Sequence, residues 1–234
     1  MKPYLVVLTY DKPHRKTQDL LMRLHSAGYV DLRIIATPWV DRKIRSPLVP
    51  HRPHEPGWPC EPIDDFNMDA YGSYEVIGVE DLQTELTAKD TVIIGGAGIL
   101  PEGLVSSVPC LNVHPGYIPY GRGLDSLKWS ILKGWPVGVT AHLVDERTDA
   151  GIILFQKEVR VRPEDTFTSL AMRQYETEMN SFVPALKILR KVDWATMRPV
   201  EFDDINVITR RMPSRLEVLM LQRFSQRKLS DGSQ

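Results

Sequence analysis

The sequence predicts an α/β fold with a mostly parallel central sheet flanked by helices. Three short runs carry that reading: YLVVLT at 4–9, DLRIIATP at 31–38 and TVII at 91–94. They are too continuously apolar and β-branched for one-sided strands, and they suit central strands buried on both faces. Between the first two, Leu20, Leu21 and Leu24 fall at helical spacing and Gly28 is placed to stop the helix. The chain therefore opens as strand, helix, strand.

Residues 41–72 hold Pro47, Pro50, Pro53, Pro56, Pro59 and Pro62, which excludes a regular helix or a central strand there. A loop of this length inside a compact domain tends to be functional, so it is read as a wall on the substrate side or as a surface connection. A strand resumes over 73–77, a short helix is expected over 79–86, and the strand at 91–94 ends in Gly95, Gly96, Ala97 and Gly98. These glycines resemble the start of a dinucleotide fingerprint. Pro101 takes the third glycine position and no acidic partner is correctly placed, so a nicotinamide site is rejected. They still allow close backbone approach at a strand's carboxyl end, where open α/β sheets bind ligands.

Further strands are expected at 110–114, 139–144 and 152–161, with a helix over 124–132 that Gly134 ends. Apolar residues at 167, 170, 171, 175, 179, 182, 183, 186 and 189 predict one long amphipathic helix over 166–189. The main domain is assigned to 1–195 and a small C-terminal extension to 196–234. Between 206 and 230 that extension carries six Lys or Arg against Glu217 alone, with Leu216, Leu219, Met220 and Phe224 as an apolar stripe. A solvated helix face is the default, with docking on the domain, a subunit contact or polyanion binding as alternatives.

At 234 residues, 42% hydrophobic and 25% charged, the composition is that of a soluble globular protein, and no apolar run reaches the ~20 residues of a membrane span. The N-terminal apolar run is too short for a signal peptide, so a cytoplasmic location is expected. A net charge of -1 argues against a general nucleic-acid binder. Cys60 and Cys110 fit no metal-ligand spacing and are expected to be free thiols.

The chemistry concentrates at 111–123 (LNVHPGYIPYGRG) and 141–154 (AHLVDERTDAGIIL). Asn112 and His114, two apart on a strand, face the same side and put an amide donor beside a titratable base. Asp149 reaches them if the two later strands neighbour the 110–114 strand. Taken singly, each residue has a structural explanation. A metal held by His114, His142 and Asp149 is disfavoured because no short-spaced ligand pair occurs, so no resident metal is expected.

The combination resembles the 10-formyltetrahydrofolate-dependent formyltransferases: GILP at 98–101, NVHPGYIP at 112–119, RG at 122–123, GVTAH at 138–142 and DERTDAG at 145–151 occur in the family's order and spacing. The resemblance spans roughly 90–190 and implies the Rossmann-like formyltransferase fold, with 10-formyltetrahydrofolate as co-substrate. It assigns Asn112 as oxyanion donor, His114 as acid–base residue and Asp149 as the carboxylate that orients and tunes the site. It also implies a folate pocket lined by Ala97, Gly98, Ile99, Leu100, Asp145, Glu146, Arg147 and Thr148. Arg122 is read either as meeting a substrate or cofactor anion or as a salt-bridged surface arginine.

Among such enzymes, those acting on methionyl-tRNA carry a further tRNA-holding domain and formyltetrahydrofolate hydrolases an N-terminal regulatory one, and neither is expected here. A glycinamide ribonucleotide enzyme is expected to carry a GSGxN-type turn after the first strand, where Thr9 to Pro13 (TYDKP) stand instead. The stretch from 127 to 154, with Trp129, looks more like the sugar N-formyltransferases. The expectation is transfer to the amino group of a nucleotide-linked deoxyamino sugar for a surface polysaccharide such as lipopolysaccharide O-antigen, by a homodimer. A glycinamide ribonucleotide formyltransferase and a non-catalytic folate-binding protein are the alternatives.

Overall fold

The structure, a computed structural model, describes residues 4–40, 46–147, 149, 151–201 and 208–231. Seven strands form one sheet: β1 (Leu5–Tyr10), β2 (Leu32–Thr37), β3 (Gly72–Val76), β4 (Thr91–Ile94), β5 (Cys110–His114), β6 (Gly138–Leu143) and β7 (Ile152–Glu158). Their order is β3-β2-β1-β4-β5-β6-β7. The first five in that order are parallel, whereas β6 and β7 continue the sheet antiparallel. The predicted mostly parallel sheet is therefore what forms, and the strand reversal falls next to the stretch that carries the chemistry.

Alternate strand residues enter two separate cores, as a sheet covered on both faces requires. Val7, Ile34, Ile93, Leu111 and Val113 pack with Leu20, Leu21 and Leu24 of α1 (Arg15–Ser26) and with the helices of the 167–189 region. Val6, Leu8, Ile35, Val92 and Cys110 pack on the other face against Leu82 of α2 (Leu82–Glu85) and Leu104 and Val105 of α3 (Glu102–Ser107). The three α1 leucines are fully buried, each worth ~1.5–3 kcal/mol of transfer free energy. Gly28, at φ +83, ends the α1 region as expected, and Gly134, at φ +70, ends α4 (Ser126–Lys133).

The single long helix expected over 166–189 is two helices, α5 (Phe167–Met179) and α6 (Phe182–Leu189). Pro184 is the reason. It has no N–H for the carbonyl of Asn180, and its ring would strike that carbonyl in a continuous helix. The chain instead breaks at Asn180–Ser181 and restarts with Pro184 in the first turn, where a missing N–H is harmless. Thr166 and Ser169 close a reciprocal capping box at the start of α5.

The Pro-rich stretch, described from residue 46, has no strand and only a 3-10 turn at Met68–Ala70. It is not a loose surface connection. Trp58 is buried edge-on to Tyr175, Gln18 exchanges hydrogen bonds with the Ile63 backbone, and Arg52 binds the buried Glu178. The C-terminal segment also docks. In α7 (Ser214–Asp231) the stripe residues Met220 and Phe224 are buried, and Glu217 ion-pairs with the fully buried Lys128 of α4. The Trp129 indole N–H donates to the Arg210 carbonyl at 2.7 Å, so this tryptophan fastens the same segment. Neither cysteine is disulfide-bonded, and burial pushes the Cys110 thiol up to about 12. Among the described residues no helix is long and apolar enough to cross a membrane.

Candidate active site

β5 presents Cys110, Asn112 and His114 to the α3 face of the sheet, and its carboxyl end opens where the strand direction reverses. Across the antiparallel pair, Asn112 lies opposite His142 and His114 opposite Thr140. Directly opposed residues share a face, so four polar side chains converge. The Asn112 amide nitrogen is 3.4 Å from Nε2 of the buried His142. Donation there occupies one amide N–H and leaves the second for a ligand.

Asp149 joins His114 as expected, with Oδ1 3.2 Å from Nδ1 of the buried ring. Asp149 adopts φ +44 in the turn between β6 and β7, and its other oxygen accepts the Gly123 N–H at 2.7 Å. Arg122 Nε donates to the Asp149 carbonyl at 3.1 Å. Arg122 is buried, which removes the surface-arginine alternative. The loop after β5 and the turn after β6 thus hold each other around the carboxylate.

The second ring nitrogen of His114, Nε2, is 2.8 Å from the Gly121 carbonyl. A carbonyl only accepts, so Nε2 carries a proton. Nδ1 faces a carboxylate, and the pair therefore stores a proton beyond the neutral imidazole. Burial pushes His114 down, but the Asp149 charge and hydrogen bond outweigh it and raise its pKa. Burial likewise pushes Asp149 up, and the His114 charge and hydrogen bond, with His142 nearby, hold it well below the usual carboxylate range. Both directions favour an imidazolium–carboxylate pair. This close fit requires Gly116, where a Cβ would lie 2.5 Å from His114 Nε2 and 2.6 Å from the Gly121 oxygen.

The loop over 115–121 is held by side chains from three directions. The buried Thr140 hydroxyl donates to the Gly116 carbonyl at 2.7 Å and accepts the Ile118 N–H at 3.1 Å. Gln156 of β7 donates to the Ile118 carbonyl at 2.5 Å, and Gln174 of α5 to the Pro115 carbonyl at 3.0 Å, where Ser126 also binds. Thr140, Gly116 and Gln156 were not singled out as site residues by the sequence, and His142 only as a ligand of the disfavoured metal. Thr140 and His142 alternate in GVTAH as Asn112 and His114 do in NVH, but only the strand register joins the two pairs.

The expected cofactor wall divides. Gly95 and Gly96 are needed by the protein itself, since a Cβ would meet Thr17 and Leu8 at the first and His14 and Tyr10 at the second. Gly98 is open, with nothing within 4 Å of an added Cβ. Beside it Ile99 is 94% exposed, and Ala97 and Leu100 pack on the second core together with Val144. An apolar wall with accessible backbone after β4, the strand paired with β5, fits a flat heterocycle. The carboxylate of Asp145 is occupied by the Arg147 backbone N–H and guanidinium at 2.6–3.0 Å. Thr148 lies outside the described residues.

Residues 73–186 match the family described as formyl transferase. A dTDP-4-amino-4,6-dideoxyglucose formyltransferase from Mycobacterium bovis is 32% identical over 107 residues, 46% of this chain and 46% of that protein. A methionyl-tRNA formyltransferase from Koribacter versatilis is 35% identical over 113 residues, 46% of this chain and 36% of that protein. The chain thus spans about half the length, or less, of these curated relatives. The solved structure of a 4-N formyltransferase from Francisella tularensis has a TM-score of 0.60 at 17% identity, covering 96% of this chain and 88% of that one. That likeness is one of fold.

Proposed function

We propose, for a chain whose residues 73–186 match the formyl transferase family, that it moves the formyl group of 10-formyltetrahydrofolate to the amino group of a nucleotide-linked deoxyamino sugar. The observation that carries this reading is the His114–Asp149 pair, 3.2 Å apart beside the Asn112 amide, at the carboxyl end of β5 and within the matched stretch. The resemblance to a formyltransferase of a dTDP-linked amino sugar directs the choice of acceptor.

The reaction joins the acceptor nitrogen to the formyl carbon and breaks the bond from that carbon to the folate nitrogen. Bound 10-formyltetrahydrofolate supplies the one-carbon unit. The Asn112 N–H that His142 leaves available binds the oxygen that gains charge as the carbon becomes tetrahedral, a contribution typically of ~2.7–4 kcal/mol. His114 enters as the acid. Its Nε2 proton, held on the Gly121 carbonyl, passes to the departing folate nitrogen, and the proton shed by the attacking amine restores it. Asp149 keeps the ring charged and oriented throughout. Ala97, Gly98, Ile99 and Leu100, with the main chain of Asp145, Glu146 and Arg147, are assigned to the folate, and Arg122 to the acceptor side.

The enzyme would act in the cytoplasm, as a homodimer, on the route to a formamido sugar of a surface polysaccharide such as lipopolysaccharide O-antigen. The test is a panel of dTDP-, GDP- and UDP-linked amino sugars, glycinamide ribonucleotide and methionyl-tRNA, each with 10-formyltetrahydrofolate. Product from a nucleotide sugar is expected. Product only from the ribonucleotide or the tRNA would replace the acceptor, and no product from any would overturn the reading.

A further inference from the structure

His51, Glu55 and Asp125 form a second cluster of chemistry-bearing side chains. Among the described residues, they are the one group of three whose donor atoms all lie within 4.8 Å of one another. His51 and Glu55 come from the Pro-rich stretch, and Asp125 directly follows the Arg122–Gly123 loop that holds Asp149. His51 is only 3% exposed, yet its imidazole is poorly satisfied. Nδ1 lies 2.8 Å from Glu55 Oε2 in an ion-pair contact, but it makes no hydrogen bond of good geometry. Nε2 faces Asp125 Oδ1 at 3.8 Å, too far for a hydrogen bond. Buried polar groups are normally paired, and an orphan of this kind points to an absent water or ion.

We propose that these three residues bind a divalent transition-metal cation of the zinc type. Two carboxylates and an imidazole, which burial keeps toward its neutral form, are a donor set that zinc accepts at ~2.0–2.2 Å, with a water completing four-coordination. Two such bonds put the donor atoms about 3.3 Å apart at a tetrahedral angle, so three donors that lie within 4.8 Å of one another close on an ion by movements of at most ~1.5 Å. Each carboxylate keeps one oxygen for the protein: Glu55 Oε2 accepts the backbone N–H groups of His51 and Arg52 at 2.7 and 3.1 Å, and Asp125 Oδ2 that of Met212 at 2.8 Å. Glu55 Oε1 and Asp125 Oδ1 remain for the metal. The nearest cations do not fill the gap. Arg211 is 3.7 Å from Glu55 Oε1 on a partly exposed side chain that can swing outward, and Lys128 is neutralised by Glu217.

The ion would clip together the Pro-rich stretch, the loop behind Asp149 and, through Met212, the C-terminal segment. It would act as a structural tie at the back of the site, and the inference does not depend on which acceptor the enzyme uses. The full chain, stripped with a chelator and then given one equivalent of zinc, is expected to retain one zinc per chain after gel filtration and to melt at higher temperature. His51→Gln and Glu55→Gln should each weaken zinc binding at least ten-fold, while His114→Ala should not. No retained zinc, or retention that His51→Gln leaves unchanged and His114→Ala abolishes, overturns the proposal. If the variants fail to fold, an anomalous map of zinc-soaked wild-type crystals decides: a peak bonded to His51, Glu55 and Asp125 supports the site, and a peak elsewhere or none refutes it.

Discussion

Replacing Asp149 by Asn removes the charge that keeps His114 protonated and leaves the volume almost unchanged. The carboxylate oxygen is 3.2 Å from Nδ1 and the ring is buried. With charge centres ~4 Å apart and an effective dielectric constant of about 20, the lost attraction is ~4 kcal/mol. Burial is then opposed only by the Gly121 hydrogen bond and the Glu178 charge, and as the largest influence it pushes His114 down. The wild-type ring has its pKa raised; in Asp149→Asn it should lose its proton at lower pH than in the wild type. An NMR titration of the six histidines, with His114→Ala to assign the resonance, reads this directly. A drop of less than about one unit would show that the pair is not an imidazolium–carboxylate and would remove the basis for His114 as the acid. If the acid role holds, the alkaline limb of the pH profile for transfer should move to lower pH in the same variant.

Asn112→Ala should lower kcat for formyl transfer ~10²–10³-fold with the fold intact by circular dichroism, and steady-state kinetics with the best acceptor checks it. Gly116→Ala, whose Cβ would press on His114 Nε2 and the Gly121 oxygen, should cost at least ~10-fold in kcat while leaving the far-ultraviolet spectrum unchanged. Glu217→Leu strands the buried Lys128 and should lower stability by ~3–5 kcal/mol in urea denaturation, whereas adding Lys128→Met should recover most of it. Burial pushes Glu178 up, but Arg52 and Lys16 hold it down to about 2. Its contribution is therefore present above about pH 4.5 and lost as pH falls toward 2, so Glu178→Gln should flatten the acid limb of the stability curve in that range.

The parallel part of the sheet was legible because β1, β2 and β4 are continuous apolar runs, a pattern that two-sided burial imposes. Pro184 carried the information for the α5–α6 break, but the apolar spacing runs on through it and masked the stop. Strand spacing put Asn112 and His114 on one face, and it was the resemblance of the combined motifs to the formyltransferases that joined Asp149 to them. The parts of His142 and Thr140 were not legible, because they depend on which residue of β6 faces which residue of β5, and register is a property of the pair of strands. The docked C-terminus was hidden for another reason: a buried Lys128 reads as a surface lysine until Glu217 is seen beside it.

The central claim is that His114, backed by Asp149 and next to Asn112, is the proton donor of a formyl-transfer site. The most direct measurement is single-turnover formyl transfer from 10-formyltetrahydrofolate to the best acceptor of the panel, by wild-type protein and by His114→Ala at equal folded concentration. A loss of ~10²-fold or more is predicted. Transfer by His114→Ala at the wild-type rate would contradict the account.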